Sequence, residues 1–271
     1  MSRPDARANR ISTENDSSVI KGMGLALLAA CLSSHPSFAL ADTPVAPSAH
    51  RQTGPVATGS KAAAASCPER ADFEAVSASQ DARNLADWVV TSGDNHGLPF
   101  AIVDKKNAEV FVFNPNGNLR GASPALLGLT RGDKVVPGIG NRKLSSIRPD
   151  ERITPAGRFV ADIGRELHGE EILWVDYDDS IAMHRVITSN PKERRAQRLA
   201  TPTTSDNRIS YGCINVPARF YDRVVSPAFT GTSGIVYVLP EILSPRRVFA
   251  AYGAYERMRA QVASADKGAG R

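Results

Sequence analysis

The sequence predicts a mostly-β domain with a few peripheral helices. Short runs rich in β-branched and aromatic residues recur along the chain, and turn-forming Gly, Pro and Asn residues separate them. The runs are Phe100–Val103, Val110–Phe113, Arg158–Val160, Ile172–Val175, Ile181–Met183 and Ile235–Val238. Helical patterns are fewer, and roughly 180 residues remain for one domain with a single core once the terminal segments are set aside.

The first element is a helix. Leu85, Trp88 and Val89 have the i, i+3, i+4 spacing of one helix face. Ser79 is a candidate N-cap and Gly93 a candidate stop. This spacing predicts a helix that packs against the domain core.

Loops follow the first two strand runs. Asn114–Gly117 (NPNG) predicts the turn after the second run. Gly128–Pro149 is rich in glycine but lacks the Lys of a P-loop, so we expect a flexible loop beside a cleft rather than a phosphate site. The turn at Thr154–Gly157 sets the next strand, and we expect it to border that cleft.

A second helical pattern lies between the histidine and the cysteine discussed below. Asn190, Pro191 and Glu193 have the order of a cap, a first position and an acidic third position. The predicted helix runs through Leu199 and carries four basic residues: Lys192, Arg194, Arg195 and Arg198. It is either a lid over substrate carboxylates or a solvated helix, and the sequence leaves both open.

The chemistry is concentrated at Cys213. A thiol with an ordinary pKa of about 8.5 needs a base to become a nucleophile at neutral pH, and His184 is the candidate base. Gly212 lets the backbone turn beside the cysteine, so the amides of Tyr211, Gly212 and Cys213 are candidates for an oxyanion hole. Ser210 and Asn215 are expected to hold this loop, with substrate contact by Asn215 or Tyr211 as an alternative.

Three blocks together resemble the L,D-transpeptidase (YkuD-like) catalytic domain. They are Thr154–Phe159 (TPAGRF), Met183-His184, and Ser210–Asn215 (SYGCIN). They occur in the family's order, and the resemblance spans roughly Leu98 to Glu241. Two features depart from the family pattern: Tyr211 replaces the usual His before Gly-Cys, and Cys213 follows His184 by 29 residues.

The resemblance implies a β-sandwich-like fold with an active-site cleft. It also implies that the backbone carbonyl of Arg185 orients His184 as the third catalytic member. The implied substrates are peptidoglycan stem peptides: Cys213 forms an acyl-thioester, a terminal D-residue leaves, and an amine of a second stem or of an envelope protein resolves the thioester. Water as acceptor would make a carboxypeptidase or amidase, and a module that binds peptidoglycan without turnover is a further alternative.

The N-terminus predicts export. Lys21 precedes the apolar run Gly22–Leu32, and Ala39-Leu40-Ala41 follows, so residues 1–41 are expected to be a signal peptide with a long n-region. Cys31 alternatively fits a lipobox, and only then would the protein attach to a membrane. Both alternatives predict a periplasmic or cell-envelope location.

The remaining boundaries are compositional. Residues 42–76 are predicted to be a tether, 77–245 the catalytic domain, and 246–271 a basic helix and tail. A bridge between Cys67 and Cys213 would silence the nucleophile, so we expect free thiols. The net charge of +5 is modest, and no nucleic-acid motif, cofactor motif or metal-ligand spacing is present; His96 and His168 form none with Cys213.

Overall fold

The structure is a computed structural model that describes residues 70–269, without the side chains of 259 and 262–269. Its ten strands are β1 (Phe100–Asp104), β2 (Glu109–Phe113), β3 (Leu119–Pro124), β4 (Leu127–Gly128), β5 (Gly157–Arg165), β6 (Glu171–Asp176), β7 (Ile181–Arg185), β8 (Arg208–Ser210), β9 (Ile214–Val216) and β10 (Gly234–Val238). The predicted mostly-β class is therefore confirmed, and each of the six predicted runs lies in a strand.

The helices lie around the sheet. They are α1 (Gln80–Ser92), α2 (Arg195–Ala200), α3 (Ala218–Phe220), α4 (Ser226–Phe229), α5 (Pro245–Val248) and α6 (Ala250–Ala269), with a π-helical turn at Tyr221–Val225 between α3 and α4. Four 3₁₀ turns occupy Ile139–Asn141, Leu144–Ser146, Pro149–Glu151 and Pro191–Glu193. Within residues 70–269, no helix has the length and apolar character that crossing a bilayer requires.

Eight strands form one mixed sheet in the order β3-β2-β1-β10-β5-β6-β7-β9. The pairs β1–β10 and β7–β9 are parallel, and the other neighbours are antiparallel. Strands β4 and β8 form a separate parallel pair, and a bridge between Leu126 and Asn215 joins this pair to β9. The segment that carries Cys213 thus lies at one edge of the main sheet.

The sheet is strongly curved, because its inner face buries one core contributed by strands from both ends of the strand order. Val112 of β2 and Ile214 of β9 belong to the same buried cluster. The alternate residues of β1, β2 and β10 face outward and pack against α1 and α6; this outer core includes Leu85, Trp88, Phe100, Phe111, Tyr237 and Tyr252. Side chains alternate between faces in a strand, which explains why these runs are apolar throughout.

Helix α1 begins and ends where the sequence predicts. The Ser79 hydroxyl accepts a hydrogen bond from the amide of Ala82, and Gly93 ends the helix in a left-handed conformation with φ 67°. Leu85 and Val89 are completely buried and Trp88 is nearly so. The spacing of these three residues therefore identified the face that packs on the sheet.

Folded structure begins earlier than the predicted boundary at residue 77. Phe73 is only 2% exposed, and its ring packs edge-on against Phe111 and Phe113. Asp72 forms a β-bridge with Asn118. The end of the predicted tether thus belongs to the outer core, because one aromatic side chain anchors it. The predicted signal peptide, Cys31, Cys67 and the rest of the tether lie outside the described residues.

The predicted helix from Asn190 to Leu199 is interrupted. Asn190 caps a 3₁₀ turn at Pro191–Glu193, as its sequence suggested, but Arg194 then adopts a left-handed conformation with φ 51° before α2 begins. This kink turns Arg195 inward, where it is only 3% exposed. The predicted solvated basic helix is therefore wrong at that residue.

Candidate active site

Two adjacent parallel strands bring His184 and Cys213 to the same face of the sheet. His184 of β7 pairs in register with Asn215 of β9. Cys213 immediately precedes β9, and continued alternation places it, two residues before Asn215, on the same side as Asn215 and therefore as His184. Cys213 packs there with Ala182 of β7, whereas Met183 faces the opposite, inner core. The sheet register, not sequence proximity, brings this pair together.

His184 is 3% exposed and has a defined orientation. Its Nδ1 lies 2.8 Å from the backbone carbonyl oxygen of Arg185. Since a carbonyl only accepts, Nδ1 carries a hydrogen and Nε2 is the basic nitrogen of the neutral ring. The Arg185 carbonyl thus contacts the histidine as the resemblance implied, while the Arg185 side chain pairs with Asp222 outside the site.

Cys213 is a free cysteine that is 6% exposed. Its Sγ donates a weak hydrogen bond to the carbonyl of Ser180, at 3.8 Å. Ser180 is buried in the turn before β7, where its backbone has φ 56° and its hydroxyl donates to the Gly140 carbonyl at 3.1 Å. Because a carbonyl oxygen only accepts, the thiol carries its proton in this contact.

The loop that carries Cys213 is closed on itself. The Ser210 hydroxyl donates to the Cys213 carbonyl at 2.6 Å and accepts from the amide of Gly212 at 3.1 Å. The amide of Gly212 is therefore engaged by Ser210 in this structure, and its place in an oxyanion hole stays a prediction. Gly212 has φ 135°, and a Cβ there would lie 2.7 Å from Cδ1 of Ile181 and 2.8 Å from the carbonyl oxygen of Ile153, so only glycine fits.

The Thr154 hydroxyl holds the loop that carries Cys213 through two hydrogen bonds. Its hydroxyl donates to the Gly212 carbonyl at 2.8 Å and accepts from the amide of Gly128 at 2.9 Å. Thr154 is 1% exposed, so both bonds are shielded from water. The TPAGRF block therefore acts on the cysteine loop directly, which is a sharper role than the turn expected from its sequence.

A buried lysine contacts the backbone of Thr154. Lys105 is completely buried, and its Nζ donates to the Thr154 carbonyl at 2.8 Å and to Asp133 at 2.9 Å. Burial lowers the pKa of Lys105, while the hydrogen bond that it donates to Asp133 opposes that shift. Asp133 also accepts from three backbone amides at 241–243, so this cluster ties the threonine to the chain after β10.

Tyr211 lies to one side of the cysteine loop. The guanidinium of Arg152 stacks over its ring at 3.8 Å. The ring also packs against the small cluster formed by Ile139, Leu144 and Ile147. The segment predicted to be a flexible loop therefore holds Tyr211 through three buried side chains. A cation–π pair and apolar packing therefore hold the Tyr211 ring.

Asn215 does not meet a surface. It is completely buried; its Oδ1 accepts from Nη1 of Arg195 at 2.6 Å, and its Nδ2 lies 3.3 Å from Nε2 of His184. The predicted substrate contact by Asn215 is therefore wrong in this structure. Sequence reasoning also missed Arg195, because nothing in a basic run distinguishes the one arginine that is turned inward.

A pocket of about 380 Å³ borders His184 on the side of β6. Its polar lining comes mainly from the β5–β6 hairpin and comprises Glu166, His168, Glu170, Glu171, His184 and Arg185. Its charged lining residues include Glu166, Glu170, Glu171 and Arg185, whose guanidinium is paired with Asp222. Most of the exposed lining is apolar, and its apolar residues are Ile172, Val186, Ile187 and Ala218.

Within residues 70–269, no group of three or more His, Cys, Asp or Glu side chains has the geometry to hold a metal ion. The residues that the structure does assemble, namely thiol, imidazole, carbonyl and a rigid amide loop, suit nucleophilic acyl chemistry.

No family model matches the chain, and no curated protein matches it. Among solved structures, it is similar to L,D-transpeptidase LdtMt1 in complex with imipenem, at 16% identity over 52% of this chain and 58% of that chain, with a TM-score of 0.30. It is also similar to the helical cell shape determining protein Pgp2 from Campylobacter jejuni, at 13% identity over 54% and 49%, with a TM-score of 0.35. A third similar structure is the C442S mutant of the Enterococcus faecium L,D-transpeptidase, at 17% identity over 52% and 49%, with a TM-score of 0.28.

The matches thus span less than two thirds of each of these solved chains. At these identities and TM-scores the likeness carries no functional argument, and the function is argued from the residues of the site.

Proposed function

We propose that this chain is a cysteine acyltransferase of the L,D-transpeptidase type, acting on peptidoglycan stem peptides. The observation that carries the proposal is the geometry of His184. Its Nδ1 is held 2.8 Å from the Arg185 carbonyl, which leaves Nε2 as the base on the sheet face that Cys213 shares. The substrate class comes from the three sequence blocks that resemble this family.

In the first half-reaction, the Cys213 thiol gives its proton to Nε2 of His184. The thiolate attacks the carbonyl carbon of an L-centre in the stem, and a tetrahedral oxyanion forms. The amides of Tyr211 and Cys213 are candidate donors to that oxygen on the sequence prediction, whereas the amide of Gly212 bonds Ser210 in the structure. The C–N bond breaks, the proton on Nε2 passes to the leaving D-residue amine, and a thioester remains.

In the second half-reaction, an amine gives a proton to His184 and attacks the thioester. The C–S bond breaks, an amide forms, and the thiolate recovers its proton. The choice of an amine as acceptor rests on the three sequence blocks that resemble the family. Water as acceptor would give a carboxypeptidase instead. We also propose that the protein acts in the cell envelope, because residues 1–41 have the sequence pattern of a signal peptide.

The test is intact-protein mass spectrometry after incubation with purified tetrapeptide stems and, separately, with a carbapenem. We expect an adduct that is absent in Cys213→Ala and unchanged in the control Cys67→Ala. A product carrying an added amine acceptor would support transfer, and a product hydrolysed by water would support a carboxypeptidase. If folded protein with a titratable Cys213 gave no adduct, the acylation proposal would fail and binding without turnover would be favoured.

A further inference from the structure

Arg195 is a buried cation that is linked to the candidate base, His184, through one side chain, that of Asn215. Its guanidinium donates through Nε to Glu193 at 2.5 Å and through Nη1 to Oδ1 of Asn215 at 2.6 Å. Its side chain is 2% exposed, whereas that of Glu193 is 26% exposed. Burying a guanidinium is costly unless it is well paired, so this arrangement requires an explanation beyond surface solvation.

The arginine determines which way the Asn215 amide points. A guanidinium has only donors, so the amide group facing it must be the oxygen. The amide nitrogen then faces the other side, where it lies 3.3 Å from Nε2 of His184 and 3.5 Å from the carbonyl oxygen of Cys213. Reversing the amide would set N–H against N–H at Arg195, so the orientation is locked.

The locked amide acts on the protonation of His184. Since Nδ1 donates to the Arg185 carbonyl, Nε2 of the neutral ring accepts from Asn215. A proton added to Nε2 would replace that acceptor with a second donor and would bring two buried cations near each other. Both effects disfavour the imidazolium and favour the neutral, basic ring.

Other charged groups around His184 act in the opposite direction. The titratable and charged groups of the described residues that border the ring, its pocket or its network are Glu166, His168, Glu170, Glu171, Arg185 with its partner Asp222, Cys213, and Arg195 with its partner Glu193. The three pocket carboxylates favour a protonated ring. A base that must be free at neutral pH beside them needs a counteracting group.

We propose that Arg195 is a positioning residue that keeps His184 unprotonated at rest by locking the Asn215 amide. The proposal rests on the proposed role of His184 as the base for Cys213. It predicts a site that stores a neutral thiol and imidazole and transfers the proton only when substrate arrives, rather than one that holds a preformed thiolate–imidazolium pair.

The test is the pH profile of Cys213 alkylation by iodoacetamide in the full chain carrying Cys31→Ala and Cys67→Ala. Arg195→Gln removes the charge and supplies an amide that both donates and accepts, so Asn215 is released. We expect thiolate to form at lower pH, with alkylation at pH 6 faster by about tenfold, the change that one pH unit in the midpoint gives. Arg195→Lys keeps a donor-only group and should restore the wild-type profile.

Arg198→Gln is the matched control, because Arg198 lies on the same helix but donates to the carbonyls of Glu193 and Asp206 instead of to Asn215. Its profile should equal that of wild type. An unchanged profile in folded Arg195→Gln, or equal shifts in both variants, would overturn the proposal.

A second measurement covers the case in which Arg195→Gln does not fold. Asn215→Asp keeps an acceptor for Arg195 but places an acceptor against Nε2, so nitrogen NMR of the His184 ring should show protonation at higher pH than in wild type. An unchanged His184 titration would overturn the proposal. Failure of the proposed function is separable, because it would appear as an alkylation profile of Cys213 that His184→Ala does not alter.

Discussion

Replacing Thr154 with valine removes one hydroxyl at nearly constant volume and should loosen the cysteine loop. The hydroxyl is buried and serves two backbone groups at once, the Gly212 carbonyl at 2.8 Å and the Gly128 amide at 2.9 Å. Valine offers neither a donor nor an acceptor. Both backbone groups would lose this partner in a place that water does not reach.

The size of the effect follows from these two groups. A buried polar group left without a partner costs about 1–3 kcal/mol, so the two groups together should reduce the free energy of unfolding of Thr154→Val by about 2–6 kcal/mol. Thr154→Ser keeps the hydroxyl and loses one buried methyl, which costs about 1 kcal/mol. The difference between the two variants therefore isolates the hydroxyl.

Urea denaturation of the full chain measures both variants. With an m-value of about 2 kcal/mol/M, the valine variant should unfold at a urea concentration about 1–3 M below wild type, with little change in slope. The alkylation rate of Cys213 under native conditions should rise in the same variant, because the Gly212 carbonyl is no longer held. Equal stability of the serine and valine variants, or a valine variant within about 0.5 kcal/mol of wild type, would refute the reasoning.

Three further variants test other parts of the site. Gly212→Ala should destabilise by about 3 kcal/mol or more in urea melts, because strain at φ 135° adds to a Cβ contact of 2.7 Å with Ile181. Lys105→Met should cost about 3–5 kcal/mol in the same assay, since it leaves the Asp133 carboxylate buried without its cation. Arg142, by hydrogen bonding, lowers the pKa of Glu151 from 4.5 to about 2. The ionised form of Glu151 therefore stabilises the fold above pH 4.5, and that stability is lost as the pH falls toward 2. In Glu151→Gln, the thermal midpoint should depend less on pH over this range.

Each of these has a discriminating comparison. Gly169→Ala shares a left-handed φ of 87° but meets no atom within 4 Å, so it should cost only about 1–2 kcal/mol. Lys106→Met breaks an exposed pair with Asp81 and should change stability by less than about 1 kcal/mol. Equal losses within either pair would contradict the packing or burial argument, and a Glu151→Gln profile parallel to wild type would contradict the lowered pKa.

The strands were predictable because their sequences carry the physical signal that makes them strands. Val110–Phe113 and Ile235–Val238 are rich in β-branched and aromatic residues, and both of their faces are buried. Strand β3 (Leu119–Pro124) was missed because Arg120, Gly121 and Ser123 give it no such signal. It is a strand because β2 offers it hydrogen bonds at the sheet edge.

The site divides in the same way. Cys213, His184 and the Arg185 carbonyl were predicted from motif and chemistry, and the register of β7 with β9 places the side chains of Cys213 and His184 on one face. The burial of Arg195 and the hydrogen bond of the Gly212 amide were not predictable. Both depend on the direction in which a turn of the backbone points one side chain or one amide. The left-handed conformation of Arg194, which no common turn sequence predicts, determines the burial of Arg195.

The position of β10 also bears on how the chain reaches its native state. This last strand lies between β1 and β5, and it pairs Phe100 with Ile235. Until β10 is in place, strands β3-β2-β1 and strands β5-β6-β7-β9 form two separate half-sheets with open edges, which are prone to pair with other chains. Contacts of such long sequence separation slow folding. Acquisition of the fold should therefore be late and cooperative, and a chain that ends before Gly234 should aggregate rather than form a smaller domain.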